Sequence, residues 1–265
     1  MPNALPPLID THCHLTHQRF QDDCHQVIDD AQAAGIAAMI TIGTGVADGI
    51  RGSEIAAAWP QVIYTACGLD PFTLHERADS FADDLAALDA HLASAGCVAL
   101  GEIGLEYFHR VLTPVQQQER LHAQLALAER RQLPVVIHVR DAHPDMKAVL
   151  AEHPEVSGVI HSFDGHAQDA EDYLALGWMI SLNGMVTFKQ KTYLREAAAV
   201  VPAERLLVET DSPFLAPVPQ RGKRCEPGFV RHTAQFLANL REVEEAELAA
   251  QTTANARRLF HLPVS

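Results

Sequence analysis

The chain carries the stretch Leu8-Ile9-Asp10-Thr11-His12-Cys13-His14-Leu15, in which apolar and branched residues lead into two histidines one residue apart. On an extended strand, side chains two residues apart point to the same side. His12 and His14 can therefore direct two imidazoles at one point, and imidazole is the commonest metal ligand among side chains. The stretch predicts a first strand that carries half of a metal site, although a surface pair of histidines would give the same pattern.

Composition narrows the class of protein. The 265 residues are 48% hydrophobic and 20% charged, which suits one domain with a full core, and we predict a single domain over residues 1–265. No apolar run approaches the ~20 residues of a membrane helix, and the N-terminus lacks the blocks of a signal peptide. Five widely spaced cysteines without a CxxC motif predict reduced thiols and a cytoplasmic location.

The formal net charge of −14, with histidine counted as neutral, argues against a protein that holds nucleic acid through a broad basic surface. It does not exclude a phosphoester substrate, because bound divalent cations would reverse the field locally.

Short apolar segments rich in Val and Ile alternate with helical patterns, which favours a parallel α/β sheet. The predicted strands are Leu8–His12, Ile36–Ile42, Val62–Cys67, Val98–Glu102, Val135–Val139, Val159–His161, Trp178–Ser181 and Leu206–Glu209. A closed (β/α) barrel, the TIM barrel, fits this alternation best, since it needs about 250 residues. An open doubly wound sheet is the alternative, disfavoured because no Gly-rich phosphate fingerprint follows the first strand.

Polar side chains collect where the predicted strands finish, which in such barrels is the rim that carries the active site. They are His12, His14, Glu102, His138, His161 and Asp211. Imidazoles and carboxylates in this number form a coherent pair of divalent metal sites. Each residue alone has another interpretation: a half-buried histidine, an ion pair at Glu102, or turn chemistry at Asp211. Their joint occurrence at successive strand ends favours metal binding.

The roles within this set follow from the chemistry of the ligands. Glu102 has two oxygens and can bridge two ions, with His12, His14 and Asp211 on one ion and the other two histidines on the second. Two ions ~3.5–4 Å apart can bind an anionic oxygen from both sides and lower the pKa of a water. Asp211 could orient that water or accept its proton, so we predict Asp211 and Glu102 as catalytic residues.

Several blocks of sequence resemble the TatD family of metal-dependent hydrolases, within the amidohydrolase superfamily, and especially its bacterial YcfH-type members. The blocks are Asp10–Leu15, Val98–Tyr107, Val136–Ala142, His161–Gly165, Ile180–Phe188, Leu207–Pro217 with Arg221-Gly222-Lys223, and Thr253-Ala254-Asn255. The resemblance covers essentially the whole chain. It implies a distorted TIM barrel whose six metal positions fall on the residues collected above, and metal-dependent DNA hydrolysis, often as a 3′–5′ exonuclease.

The sequence departs from the family pattern near the site. Asp70 stands where a His is usual, in Cys67-Gly68-Leu69-Asp70-Pro71, and a carboxylate there would repel a phosphate. Glu106 replaces a usual Asp, which lengthens a side chain near the site, and Cys225 replaces a common Asn.

Other residues are candidates for substrate contact. Arg140, Arg221 and Lys223, with Lys189 and Arg224, could form a phosphate-binding fringe, or could lie in solvated loops. Asp70 is a further candidate at the substrate position. Three phenylalanines near the rim could stack on a base, although we favour simple loop packing for them; they are Phe163, Phe188 and Phe214.

The sequence therefore predicts a divalent-metal-dependent hydrolase that cleaves phosphodiesters of DNA, at single-stranded ends, with an activated water. The mixed His and carboxylate ligands suit two ions of Zn²⁺, Mn²⁺, Ni²⁺ or Fe, and Mg²⁺ less well. We expect a monomer without a membrane partner. One alternative is a metal-dependent hydrolase of a small amide, ester or lactone, and another is a metal-binding module with vestigial activity.

Overall fold

The computed structural model describes residues 6–94, 96–109 and 112–263. Eight parallel strands form one sheet in chain order. They are β1 (Leu8–Cys13), β2 (Ile36–Gly43), β3 (Ile63–Cys67), β4 (Ala99–Glu106), β5 (Val135–Arg140), β6 (Gly158–Ile160), β7 (Met179–Leu182) and β8 (Leu206–Val208). A bridge between Cys13 and Ser212 brings the end of β1 against the segment after β8. The predicted closed barrel is confirmed, and the open sheet is wrong.

Ten α-helices surround the strands in the described part of the chain. They are α1 (Cys24–Ala33), α2 (Val46–Ala58), α3 (Pro71–Glu76), α4 (Phe81–Ser94), α5 (Pro114–Arg131), α6 (His143–Ala151), α7 (Ala167–Ala175), α8 (Thr192–Val200), α9 (Val230–Leu240) and α10 (Glu245–Leu259). None of the helices in residues 6–263, apart from the gaps, is both long and apolar enough to cross a membrane.

The barrel interior divides into an apolar lower part and a polar upper part. Ile9, Ile40 and Val136 belong to an inner cluster that also includes Phe260, just after α10. The side chains of α10 therefore close the N-terminal end of the barrel with packed apolar atoms. Towards the other end the buried residues turn polar, as at Asp10, so chemistry is confined to the C-terminal rim.

Two register shifts distort the barrel at chemically important positions. Between Asp10 and Cys13, β1 has one residue more than β2, and between Gly101 and Ile103, β4 has one more than β5. A bulge of this kind re-aims a side chain and is common beside active sites. His12 and Glu102 lie within these two irregularities.

The prediction that the fourth strand ends at Glu102 was wrong, because β4 continues to Glu106. The two glycines that flank Glu102, Gly101 and Gly104, have a clear structural role. A Cβ at Gly101 would collide with Val136, and one at Gly104 would collide with the backbone carbonyl of His138. The glycines thus allow β4 to approach β5 closely, which holds Glu102 beside the end of β5.

The short helix α3 was not predicted from the sequence. It begins with Asp70 as N-cap, whose carboxylate accepts a hydrogen bond from the backbone N–H of Thr73 at 2.8 Å, and with Pro71 in the first turn. These are favourable helix-start residues. Six residues are too few to show the apolar periodicity on which the helix predictions rested.

Replacing Gln124 with Leu is expected to lower the free energy of unfolding by about 2–6 kcal/mol. This fully buried amide on α5 accepts from the backbone N–H of Leu69 at 2.9 Å and donates to the carbonyl of Leu69 at 3.0 Å. Leu would leave two buried backbone groups without partners, at about 1–3 kcal/mol each. Urea denaturation measures the change. The control Gln26→Leu, on the exposed face of α1, should change stability by under about 0.5 kcal/mol.

Candidate metal centre

A cavity of about 630 Å³ lies at the C-terminal rim of the barrel. Its lining includes His14, Glu102, His138, His161 and Asp211. His12 contacts four of these side chains, all except His138. The structure thus brings together all six side chains that the sequence marked as candidate ligands, although they span two hundred residues of sequence.

The first group of donor atoms joins the ends of β1 and β8. Nε2 of His12 lies 3.2 Å from Nε2 of His14 and 3.4 Å from Oε2 of Glu102. Oδ1 of Asp211 lies 3.4 Å from Nε2 of His14 and 3.8 Å from Nε2 of His12. Two nitrogens and two carboxylate oxygens therefore surround one small volume.

The second group uses the other oxygen of the same glutamate. Oε1 of Glu102 lies 2.7 Å from Nδ1 of His138 and 3.0 Å from Nε2 of His161, and these two nitrogens are 3.4 Å apart. Glu102 therefore directs one oxygen to each group of donors, as expected for a carboxylate that bridges two cations.

These separations fit divalent ions. Two ligands bound at about 2.0–2.2 Å with tetrahedral or octahedral angles stand roughly 3–3.5 Å apart. Both groups are close to that spacing, and both are buried or nearly so. Neutral imidazoles mixed with carboxylates suit Zn²⁺, Mn²⁺, Ni²⁺ or Fe²⁺. The residues present therefore fit a pair of metal ions.

The electrostatics of the six side chains favour positive charge at their centre. Burial would raise the pKa of Glu102, but the charge of His161 and the hydrogen bonds from its histidine neighbours hold that pKa well below its usual value. Burial alone would lower the pKa of His138, whereas its hydrogen bonds to Glu102 and Glu106 raise it to about 9. His14 behaves likewise against Asp211, again to about 9. Metal binding would therefore displace protons from these imidazoles.

Two further glutamates, which were not predicted from the sequence as part of the site, lie behind the histidines. Glu106, the departure from the family pattern, is almost fully buried, and its Oε2 lies 3.2 Å from Nε2 of His138. Glu209, also buried, accepts the backbone N–H of Ser162 and lies 3.5 Å from Nδ1 of His161. Carboxylates behind metal-binding histidines fix the ring orientation. The available signal was a charged residue in or beside an apolar strand.

Asp10 links the first strand of the barrel to the segment that follows the last strand. It is fully buried and accepts hydrogen bonds from the backbone N–H of Thr210 at 2.8 Å, from its hydroxyl at 2.5 Å and from the N–H of His12 at 3.3 Å. Burial, the largest influence, raises the pKa of Asp10 to about 8 despite these bonds. The carboxyl links the β1 ligand to the segment that carries Asp211.

Three residues at the rim have backbone φ angles that are unusual for residues other than glycine. Asp141, Ser162 and Asp211 follow β5, β6 and β8, and all have positive φ angles, of 53°, 45° and 59°. Such angles are unfavourable for residues other than glycine and cluster at functional sites. Asp211 is fixed there because its N–H donates to the carbonyl of His12 at 2.9 Å.

The candidate substrate residues divide into two sets. Arg140 and Asp70 line the cavity, and the guanidinium of Arg140 lies 4.5 Å from the ring centroid of Phe108. Arg221 and Lys223 are not among the residues that line it. The guanidinium of Arg221 covers the ring of Phe188, and Lys223 donates a hydrogen bond to Gln220.

The interpretation of Asp70 also changes, because its carboxylate caps α3 while burial and the charge of Glu102 raise its pKa to about 6.

Replacing Glu209 with Gln is expected to weaken metal binding by about 10- to 100-fold, because an amide orients the ring of His161 less firmly. Calorimetric titration of metal-free protein with Mn²⁺ and Zn²⁺ gives the affinity. Glu226→Gln, which removes a carboxylate that pairs with Arg224 outside the cavity, is the control. Equal affinity in both variants would show that Glu209 has no part in holding the ligand.

Comparison with known proteins agrees with this geometry. The family described as TatD related DNase matches residues 9–261. An uncharacterized metal-dependent hydrolase of Escherichia coli, YcfH, is 38% identical over 263 residues, covering 97% of each chain. A protein of Erwinia billingiae named 3′-5′ ssDNA/RNA exonuclease TatD is 35% identical over 97% of this chain and all of its own length. The crystal structure of YJJV, a TatD homologue from Escherichia coli, superposes with a TM-score of 0.87 at 31% identity, over 97% of this chain and 98% of its own. The chain belongs to the TatD family of metal-dependent hydrolases.

Proposed function

We propose that the protein is a nuclease that hydrolyses phosphodiesters at the ends of single-stranded DNA, with two divalent ions held at the barrel rim. The observation that carries the proposal is the position of Glu102, whose two oxygens face two separate groups of donors. His12, His14 and Asp211 would hold one ion with Glu102, and His138 and His161 would hold the other. When bound, the ions would polarise the phosphate and lower the pKa of a water.

Asp211 has the position of a proton acceptor. Its side chain lines the cavity and its Oδ1 is directed at His14, so one edge of the carboxylate faces the donors while the side chain remains 14% exposed. Burial would raise its pKa, but the hydrogen bond to His14 and the nearby histidines hold that pKa below its usual value. Asp211 is therefore ionised at neutral pH and can receive the proton of an attacking water.

The nature of the substrate rests on similarity together with Arg140. Relatives at 33–35% identity carry the name 3′-5′ ssDNA/RNA exonuclease. At the cavity wall, Arg140 offers a cationic group that can bind a phosphate next to the scissile one. The carboxylate of Asp70 lies on the same wall and accepts the backbone N–H of Thr73 at the start of α3, so its charge is directed in part to the helix.

We further propose that the protein works as a single-domain monomer in the cytoplasm. All five cysteines are unpaired thiols, as expected in a reducing compartment. Size-exclusion chromatography with light scattering measures the mass in solution, and a dimer would contradict the proposal.

A substrate panel tests the function. Metal-free protein is loaded with Mg²⁺, Mn²⁺, Zn²⁺ or Ni²⁺, its metal content is measured, and it is assayed on 3′- and 5′-labelled single-stranded DNA, duplex DNA, and small esters and lactones. We expect release of mononucleotides from the 3′ end of single strands. Turnover of an ester or lactone without DNA cleavage would favour a small-molecule hydrolase, and bound metal without any turnover would favour a binding module.

A further inference from the structure

Two phenylalanine rings at the wall of the cavity are exposed without an evident structural reason. Phe72 and Phe214 line the cavity and are 39% and 44% exposed, whereas Phe163, near the same rim, is 1% exposed. Both rings are partly open to the cavity, so a ligand that covered them would bury further apolar surface.

Phe214 is fixed beside the first group of metal donors. It follows Asp211 by three residues, and its backbone N–H donates to the carbonyl of Asp211 at 2.9 Å. Its ring centroid lies 6.2 Å from that of His14 and 5.3 Å from that of His17, both in near-perpendicular arrangements. The ring therefore stands next to the ligands and has a defined orientation.

Phe72 belongs to a second aromatic cluster, which we call the Phe72 cluster and which consists of Phe72, Phe108, His109 and Arg140. The ring of His109 lies 5.4 Å from that of Phe72 and 4.8 Å from that of Phe108, and the guanidinium of Arg140 covers Phe108. Nδ1 of His109 is 3.3 Å from Oε2 of Glu106, which also contacts His138. Among the described residues, no carboxylate forms an ion pair with Arg140, so its charge is available to a ligand.

The order of the strands separates the two aromatic positions. Phe214 follows β8, which adjoins β1. The Phe72 cluster lies about half-way round the eight strands, because Phe72 follows β3, Phe108 and His109 follow β4, and Arg140 ends β5. The donors of the metal centre lie on or directly after β1, on β4 and β5, and directly after β6 and β8. A chain that crosses the cavity from one aromatic position to the other therefore passes over these donors.

We infer that Phe214 and Phe72 stack on two unpaired bases of the bound strand, one on each side of the phosphodiester that is cut, and that Arg140 binds a phosphate beyond the Phe72 side. This inference rests on the proposed function and names residues that bind its substrate. Every base offers a flat face, so stacking on phenylalanine is tolerant of sequence. Bases within a duplex are already stacked and paired, so the same residues select single strands.

The experiment is a double-mutant cycle, in which a Phe→Leu substitution in the protein is combined with removal of one base from the oligonucleotide. Fluorescein-labelled ten-nucleotide thymidine strands, with phosphorothioates at the last linkages to prevent cleavage, are made intact or with an abasic residue at each of the last three positions. Their Kd for wild-type protein loaded with Mn²⁺, for Phe214→Leu and for Phe72→Leu is measured by anisotropy. Phe229→Leu is the matched control, since Phe229 is half-buried beside His232 and lies outside the cavity.

Each Phe→Leu variant at the cavity should weaken binding of the intact strand by about 5- to 150-fold, the range for loss of one stacked base. Removal of the base that stacks on a given phenylalanine should weaken binding to wild-type protein by a similar factor. The same removal should have little further effect on the variant that lacks this phenylalanine. The two variants should respond to different positions, and Phe229→Leu should match wild type. The inference is overturned if abasic residues cost the variants as much as the wild type, or if wild-type protein binds none of the strands. Binding without cleavage of an unmodified strand would instead contradict the proposed nuclease.

Discussion

Replacing Glu102 with Gln is expected to remove at least one of the two proposed ions and to lower the rate of the proposed DNA hydrolysis by about 10³-fold or more. Glu102 directs Oε2 to His12 at 3.4 Å and Oε1 to His138 at 2.7 Å. An amide of the same shape replaces one of these oxygens by an NH₂ group, which has no lone pair for a cation. It also removes the negative charge that both ions would share. Loss of a single preorganised electrostatic group commonly costs 10²–10³-fold in rate, so the loss of an ion should cost at least as much.

Metal content distinguishes this bridging role from a role in one site only. Elemental analysis should find close to two ions per chain in wild-type protein, one in His14→Ala or His138→Ala, and one or none in Glu102→Gln. Asp172→Asn, which removes a carboxylate on α7 that pairs with Lys147, should keep both metal content and activity. Two tightly bound ions in Glu102→Gln would contradict the bridge, and wild-type activity in His138→Ala would contradict the two-ion centre itself.

The sequence was sufficient to predict which side chains would meet, because a parallel barrel brings all strand ends to one rim. His12 and His14 could be recognised by their spacing on a strand, and the other four by their place after apolar segments. The position of Glu102 within its strand could not be recognised. It depends on the bulge opposite β5 and on the close approach at Gly104, which are properties of strand pairing rather than of β4 alone.

The contacts that loop side chains make could not be predicted from the sequence. In the sequence, Arg221 and Lys223 are basic residues near the blocks that resemble the family, as Arg140 is, yet of these three only Arg140 lines the cavity. Arg221 instead lies 3.7 Å from the ring centroid of Phe188 and donates to the carbonyl of Ala216. Phe163 is buried as expected, whereas Phe214 is exposed at the cavity wall, against the loop packing that we favoured. Loop paths depend on distant packing, which the local pattern of residues does not encode.

Replacing Asp211 with Asn is expected to lower kcat for DNA by about 10²–10⁴-fold while leaving a large part of the metal binding intact. The amide oxygen can still face His14 Nε2, which lies 3.4 Å from Oδ1 in the native protein, and the other donors of the first group remain. The variant cannot accept a proton, and removal of a positioned general base typically costs 10²–10⁴-fold in rate. The positive φ of 59° is tolerated by Asn as readily as by Asp, so the fold should persist.

The pH dependence of the variant separates proton transfer from metal binding. In wild-type protein, kcat should fall as the pH drops through the low pKa of Asp211, which its hydrogen bond to His14 and the neighbouring histidines maintain against burial. In Asp211→Asn that acidic limb should disappear, and the residual rate should rise with hydroxide concentration, because the attacking water must then lose its proton to solvent. Metal content is measured on the same preparations. If Asp211→Asn keeps both ions and the wild-type kcat, Asp211 serves as a ligand alone and another group accepts the proton; if it loses one ion together with its activity, ligation is the main contribution of this carboxylate.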